Sequence, residues 1–333
     1  MPKTKLVITG DWHIRIKPDI PEAWQINRYH LLFDEVIRIC LEHGARLVLS
    51  GDILDRNRPS LVELQLVTRF LNRCDVNNLT TYLISGNHES LGLGTSTYDY
   101  LSPFLSKLEY VHYNPSNEIF VPLENDVDLY LVGHPALPSY EAGDLRTDKT
   151  NILVSHFRCT VNQFIQEELD VAKFIEPFDT CYASDIHMPL DLYDGKLKYT
   201  NHPLNSCFEA KAECGLLLVE ANGAGLKDTR IKLSLPNLVQ VTTTAADYED
   251  TLDDVDYYRI EVKGSPDELR SITTASANTK LLKVPDVVSE YVAETETEEI
   301  NNVGLEDSLL GYLTEMQVPE ETITKMMKIY QEA

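Results

Sequence analysis

Leu6-Val7-Ile8-Thr9-Gly10-Asp11-Trp12-His13 reads as a short apolar strand that stops at a glycine and then delivers an aspartate and a histidine. Four more apolar runs end in a small residue followed by a metal-capable side chain. Leu47-Val48-Leu49-Ser50-Gly51 leads to Asp52, and Tyr82-Leu83-Ile84-Ser85-Gly86 leads to Asn87 and His88. Ile152-Leu153-Val154-Ser155 leads to His156, and Cys181-Tyr182-Ala183-Ser184 leads to Asp185 and His187. Longer helical stretches separate the runs, which is the signature of an α/β fold. One helix is predicted over residues 24–43, with Tyr29, Leu32, Phe33, Val36, Ile37 and Cys40 on one face and Gly44 as its stop. Another opens at Ser60-Leu61-Val62-Glu63, a capping box. Leu129-Tyr130-Leu131-Val132 reads as a further strand, and residues 214–220 as the strand that closes the large domain.

In open α/β sheets the ligand crevice lies off the carboxyl ends of the strands. All five groups are therefore expected to converge on one spot. Taken alone, Gly-Asp after a strand is an ordinary turn, Asn87-His88 an ordinary cap, and His156 an ordinary core histidine. Their recurrence at one structural position is what points to a site. His134 also follows a strand, but nothing pairs with it in sequence, and it is read as structural. Carboxylate, amide and imidazole donors without thiolate suit hard or borderline divalent ions such as Mn²⁺. Asp52 has two oxygens and can bridge two ions, and a pair of ions can clamp a phosphoryl group. The glycines before Asp11, Asp52 and Asn87 are expected to let the backbone turn sharply.

Composition narrows the class. The chain has 333 residues, 43% hydrophobic and 25% charged, which excludes collagen-like, disordered and disulfide-scaffold proteins. No apolar run reaches the length of a membrane-crossing helix. The first residues do not form a secretory signal, and the six cysteines lack C-x-x-C spacing, so reduced thiols in a cytoplasmic protein are expected. The net charge of -24 argues against a broad basic surface gripping a polyanion. The excess concentrates after position 240, where residues 241–333 hold 21 acidic against 7 basic side chains. Four segments are expected: residues 1–240 as the large domain, 244–288 as a small α/β appendage, 289–304 as an acidic linker, and 305–333 as a helical tail.

The ordered set Asp11-x-His13, Gly51-Asp52, Gly86-Asn87-His88, His156 and Asp185-x-His187 resembles the calcineurin-like metallophosphoesterase superfamily. Within it, the chain is most similar to the SbcD-type nuclease subunit of DNA double-strand-break repair, with phage and bacterial members. The resemblance implies a β-sandwich flanked by helices, with a capping domain at 244–288. It implies one metal ion on Asp11, His13, Asp52 and His187, and a second on Asp52, Asn87, His156 and Asp185. His88 would face the phosphate as the catalytic residue. The activity implied is 3′-to-5′ exonuclease and endonuclease cleavage of DNA with Mn²⁺ preferred and Mg²⁺ possible. Residues 305–333 would grip the coiled coil of an SMC-like ATPase of the SbcC type, and the subunit would dimerise, residues 24–33 being one candidate surface. No G-x-x-x-x-G-K-[ST] motif occurs, so ATP hydrolysis would come from that partner.

Three positions depart from the family pattern. Asp185 replaces the first histidine of His-x-His, Asn201-His202-Pro203 stands for a Gly-Ser-Pro turn, and Glu89 stands where the nuclease branch commonly has aspartate. Two other readings fit parts of the pattern. A phosphomonoesterase of the same superfamily shares the Gly51-Asp52 and Gly86-Asn87-His88 motifs. A non-catalytic scaffold for the ATPase would tolerate a site weakened at Asp185.

Overall fold

The computed structural model describes residues 3–285, apart from 93, 144, 162–166, 209–212, 223–224, 251–254 and 275. The linker expected at 289–304 and the tail expected at 305–333 lie outside the described residues. The apolar runs form parallel strands, but in two sheets. In the first six-stranded sheet Thr4–Thr9, Arg46–Ser50, Thr81–Ile84 and Val111–Tyr113 lie parallel. Gly215–Asn222 joins antiparallel to Thr4–Thr9, and Gly225–Lys232 forms the edge. The second six-stranded sheet runs Val127–Val132, Thr150–His156, Thr180–Ser184 and Leu197–Tyr199 in parallel between the antiparallel edges Glu118–Leu123 and Asp191–Leu192.

Period-2 alternation decides which face each side chain serves. Leu6 and Ile8 point into a core shared with Leu129, Leu131, Ile152 and Val154 of the other sheet, so the sheets pack face to face. Val7 points the other way, into a second core with Leu32, Phe33 and Val36. Leu153, Cys181 and Ala183 turn outward in the second sheet and pack on Val171, Ile175 and Phe178. The result is a β-sandwich with helices on its outer faces. Strands buried on both sides need near-continuous apolar sequence, which is why the runs were legible. Each fully buried Leu or Ile contributes roughly 1.5–3 kcal/mol.

The Glu22–His43 helix starts just after Pro21 and ends at Gly44, whose φ of 60° is left-handed. Trp24 packs at a tilt on Tyr257, ring centroids 5.5 Å apart, and donates to the Val255 carbonyl, while Tyr29, Leu32 and Phe33 are buried, so these side chains pack within their own chain. The Ser60–Glu63 capping box opens Leu61–Val76. The large domain does not close at residues 214–220: the Gly225–Lys232 strand follows, and its few apolar residues, Leu226 and Ile231, fall out of phase with any two-residue repeat. A three-stranded sheet of Leu238–Thr244, Tyr257–Gly264 and Thr279–Pro285 carries the short Pro266–Ser271 helix. It begins at Leu238, ahead of the boundary expected at 244, because Leu238 packs with Ile20, Phe208 and Tyr257 rather than with the sandwich. All six cysteines are free; Cys40, Cys74, Cys159 and Cys181 are buried, Cys207 and Cys214 half-buried.

Candidate metal centre

The carboxyl ends of the central strands of both sheets meet at one edge of the sandwich. Ser50 Oγ and Ser184 Oγ, one from each sheet, are hydrogen-bonded at 2.6 Å. His156 Nδ1 lies 2.9 Å from the Ser50 carbonyl oxygen across the same seam. The ends of the five strands that carry the motifs therefore meet at this seam.

Their backbones are strained. Asp11, His13, Asp52 and Asp185 have φ of 55°, 45°, 51° and 101°. Non-glycine residues in that region are uncommon, and such conformations cost on the order of 1 kcal/mol each. The glycines serve differently from expectation. Only Gly51 uses its freedom, with φ 95°, whereas Gly86 provides space: a Cβ there would sit 2.0 Å from Asp52 Oδ1.

Asp11, His13 and His187 bring ligand atoms within 4.8 Å of one another. His13 Nε2 faces His187 Nε2 at 2.9 Å, and Asp11 Oδ1 lies 3.9 Å from His187 Nε2. Asp55 Oδ1 is 3.2 Å from His13 Nδ1, close enough for an ion pair but without hydrogen-bond geometry. At 2.9 Å the two facing Nε2 nitrogens either share a proton in an N–H···N hydrogen bond or, with both lone pairs turned inward, converge on the place a cation would take.

Asp52, His156 and Asn87 form a second group. His156 Nε2 is 3.3 Å from Asp52 Oδ2 and 3.1 Å from Asn87 Oδ1. Since Nδ1 donates to the Ser50 carbonyl, neutral His156 presents a lone pair to two acceptor oxygens. Either a proton on Nε2 or a cation beside it would satisfy these oxygens. Asp52 Oδ2 also lies 3.8 Å from His13 Nε2, so this carboxylate reaches both groups.

Packed together without an ion, these groups shift one another strongly. Burial pushes the Asp11 carboxyl up to about 7. Burial works against charge on His156, but the carboxylates of Asp52, Asp11 and Asp185 outweigh it and push the imidazole up to about 10. Burial likewise opposes ionisation of Asp52, yet His156, His13 and His88 hold it well below the usual carboxylate range. Burial, with His13 and His202 close by, lowers His187 to about 4, which keeps its ring nitrogen open as a donor to a metal.

Asp185 stands differently. Its Oδ1 is 3.9 Å from His156 Nε2, but both carboxylate oxygens are held by Arg158, Nε to Oδ2 at 2.7 Å and Nη2 to Oδ1 at 2.9 Å. His88 is 40% exposed; its Nδ1 lies 2.7 Å from the Asp55 carbonyl and its Nε2 3.9 Å from Asp52 Oδ2. His13, Asp52, Asp55, His88, Arg158, Asp185, His187 and Ser206 line an open cleft of about 260 Å³.

Several supporting residues were not legible as functional. Glu89, buried, accepts from the backbone of Asp52, Leu54 and Gly86 and from the Tyr98 hydroxyl. Glu63 accepts the Ile16 N–H, fixing the chain after His13. His202 Nδ1 meets the His187 carbonyl at 2.9 Å. The signal for Asp55 was its place in Gly51-Asp52-Ile53-Leu54-Asp55, and for Arg158 its place two residues after His156. His134 sits apart, its Nε2 3.3 Å from Glu168.

Residues 4–158 match the family model of calcineurin-like phosphoesterases, which makes the chain a metal-dependent phosphoester hydrolase. The chain carries a calcineurin-like metallophosphoesterase domain. Among its relatives is "Probable exonuclease subunit 1" of Escherichia phage T5, 25% identical over 279 residues, covering 80% of this chain and 81% of that protein. Another is "DNA double-strand break repair protein Mre11" of Nanoarchaeum equitans, 26% identical over 208 residues, covering 54% of this chain and 56% of that protein. Among solved structures, the purple acid phosphatase PPD1 of yellow lupin overlaps 69% of this chain and 51% of its own, at 12% identity and a TM-score of 0.40. No helix among the described residues is long and apolar enough to cross a membrane.

Proposed function

We propose that this chain is the nuclease subunit of a two-component DNA recombination and repair complex. It cleaves DNA phosphodiesters as a 3′-to-5′ exonuclease and an endonuclease, using two divalent ions, Mn²⁺ first among them. The observation that carries this reading is the set of facing donors: His13 Nε2 against His187 Nε2 at 2.9 Å, with Asp52 within 4 Å of His13 and His156. The likeness to a phage exonuclease subunit and an archaeal DNA double-strand break repair protein supports DNA as the substrate.

Asp11, His13, Asp52 and His187 would hold one ion, and Asp52, Asn87, His156 and Asp185 the other. Ions so held supply charge for the phosphoryl oxygens and acidify water. The chain itself contributes position. The Ser50 carbonyl orients the ring of His156, the Asp55 carboxylate lies beside His13 Nδ1, and Glu89 fixes the loop of Asp52. His88 reaches over the cleft with its Nδ1 anchored on Asp55, so that Nε2 is the atom to give a proton to the leaving oxygen or to stabilise its charge.

The sheet that begins at Leu238 acts as the capping domain. Arg259 and Lys280 reach Asp19 at 3.4 and 3.6 Å, which ties the cap to the chain segment that follows His13. Residues 305–333 grip an SMC-like coiled-coil ATPase, which also supplies the basic DNA surface that a chain of net charge -24 lacks. The subunit works in the cytoplasm as a homodimer. The test is Mn²⁺-dependent release of nucleotides from an end-labelled linear duplex, with Asp52→Ala as the blank. Release by the parent alone supports the nuclease. Hydrolysis of a phosphomonoester with the duplex left intact, with and without the ATPase, would replace it by a phosphomonoesterase.

A further inference from the structure

Asp185 and Arg158 form a side-on pair at the mouth of the cleft. The aspartate is buried; the arginine side chain is 39% exposed. The pair uses the Nε and Nη2 edge of the guanidinium, so Nη1 points away from Asp185 and has no hydrogen-bond partner among the described residues. A guanidinium offers five N–H donors in a rigid fork, and two of them are committed here. Arg158 is also the one Lys or Arg among the described residues that line the cleft, where Asp52, Asp55 and Asp185 present carboxylates. An anionic substrate approaching this wall meets negative charge from all three. A buried carboxylate that clamps one edge of an arginine fixes the other edge at little further entropy loss, the condition under which arginine recognises phosphate well.

We propose that Arg158 is a phosphate-contacting residue of this centre, presenting the Nη1 edge of its guanidinium to a non-bridging oxygen of the substrate while Asp185 holds the opposite edge. The aspartate at the position where the family has histidine is thereby explained: it anchors a cation that a histidine could not hold. The proposal rests on the phosphoesterase reading of the cleft. Arg158 adds a fixed positive charge that, unlike a bound ion, is present at every pH the protein survives.

Two calorimetric titrations of the full chain separate the alternatives: Mn²⁺ into metal-free protein, and inorganic phosphate into Mn²⁺-saturated protein. Arg158→Gln is expected to keep Mn²⁺ affinity within about threefold and to weaken phosphate binding by about 10- to 100-fold, the range for one charge-assisted hydrogen bond. Arg158→Lys keeps the charge but not the fork, and is expected to lose phosphate affinity several-fold. Should Arg158→Gln fail to fold, Arg158→Lys decides. Parent-like phosphate affinity in the folded variant overturns the proposal. So does a loss of phosphate binding that merely follows a loss of Mn²⁺ sites, which would leave Arg158 a support for Asp185 alone. A parent that takes up neither Mn²⁺ nor phosphate sinks the phosphoesterase reading itself, and the proposal with it.

Discussion

The buried carboxylate of Glu89 accepts the backbone N–H of Asp52 at 2.9 Å. It takes the N–H of Leu54 and of Gly86 at 2.7 Å each and the Tyr98 hydroxyl at 2.8 Å. One side chain thus ties together the two loops that present Asp52, Asn87 and His88.

Glu89→Gln tests that tie. An amide has one acceptor oxygen, and its NH₂ would face N–H donors. The variant is expected to lose about 1–3 kcal/mol of stability, the cost of an unsatisfied buried group. Its Mn²⁺ affinity should fall with the misplaced Asp52 loop. Urea denaturation and a Mn²⁺ titration measure the two effects, and unaltered Mn²⁺ affinity would refute a positioning role.

Asp52 reaches both donor groups, at 3.3 Å from His156 Nε2 and 3.8 Å from His13 Nε2. Asp52→Ala is expected to abolish tight Mn²⁺ binding at both positions and all hydrolysis. Calorimetry and the end-labelled duplex check the two halves, and retained activity would overturn the assignment of the centre.

His88 lies further out, its ring edge-on to His13 at 4.7 Å and its nitrogens near Asp52 and the Asp55 carbonyl. His88→Ser should leave the Mn²⁺ isotherm unchanged while hydrolysis slows by roughly 10²-fold or more, the scale for a lost proton donor or charge stabiliser. A weakened isotherm would instead make His88 a ligand.

Glu63 gives a pH-dependent prediction away from the cluster. Burial raises its carboxyl, but the N–H groups of Ile16 and Ser60 and the Arg56 guanidinium outweigh burial and hold it below its ordinary 4.5. A depressed carboxyl contributes stability that is present above its unfolded value and lost as pH falls through the folded one. Glu63→Gln is expected to be about 1–3 kcal/mol less stable than the parent at pH near 7. The gap should narrow below pH 4.5. Denaturant midpoints across that range decide it, and a gap independent of pH would count against the linkage.

The strand ends were legible because each parallel strand, buried on both faces, must be apolar throughout, and the abrupt change to Asp11, Asp52 or Asn87 marks where burial ends. The capping box at Ser60 and the stop at Gly44 were legible because they are local. What sequence did not reveal depends on partners far along the chain. Nothing in the runs at 6–8 and 152–154 says that they lie in different sheets, for that is settled by the facing of Leu6 and Ile8 onto Ile152 and Val154. The Gly225–Lys232 strand has no alternation to read. Backbone strain falls on Asp11, His13, Asp52 and Asp185 rather than on the glycines beside them, Gly51 excepted. The Arg158–Asp185 pair joins residues 27 apart whose neighbours give no hint of contact.

The Ser50–Ser184 contact has one more consequence. The candidate centre sits on the joint between two walls, not on either wall: Asp11, His13, Asp52 and Asn87 hang from one sheet, His156, Asp185 and His187 from the other. An ion seated there would be a rivet through the joint. Chelation should then loosen the whole sandwich, and substitutions deep between the sheets, at Leu6 or Val154, should detune the chemistry without touching a single donor.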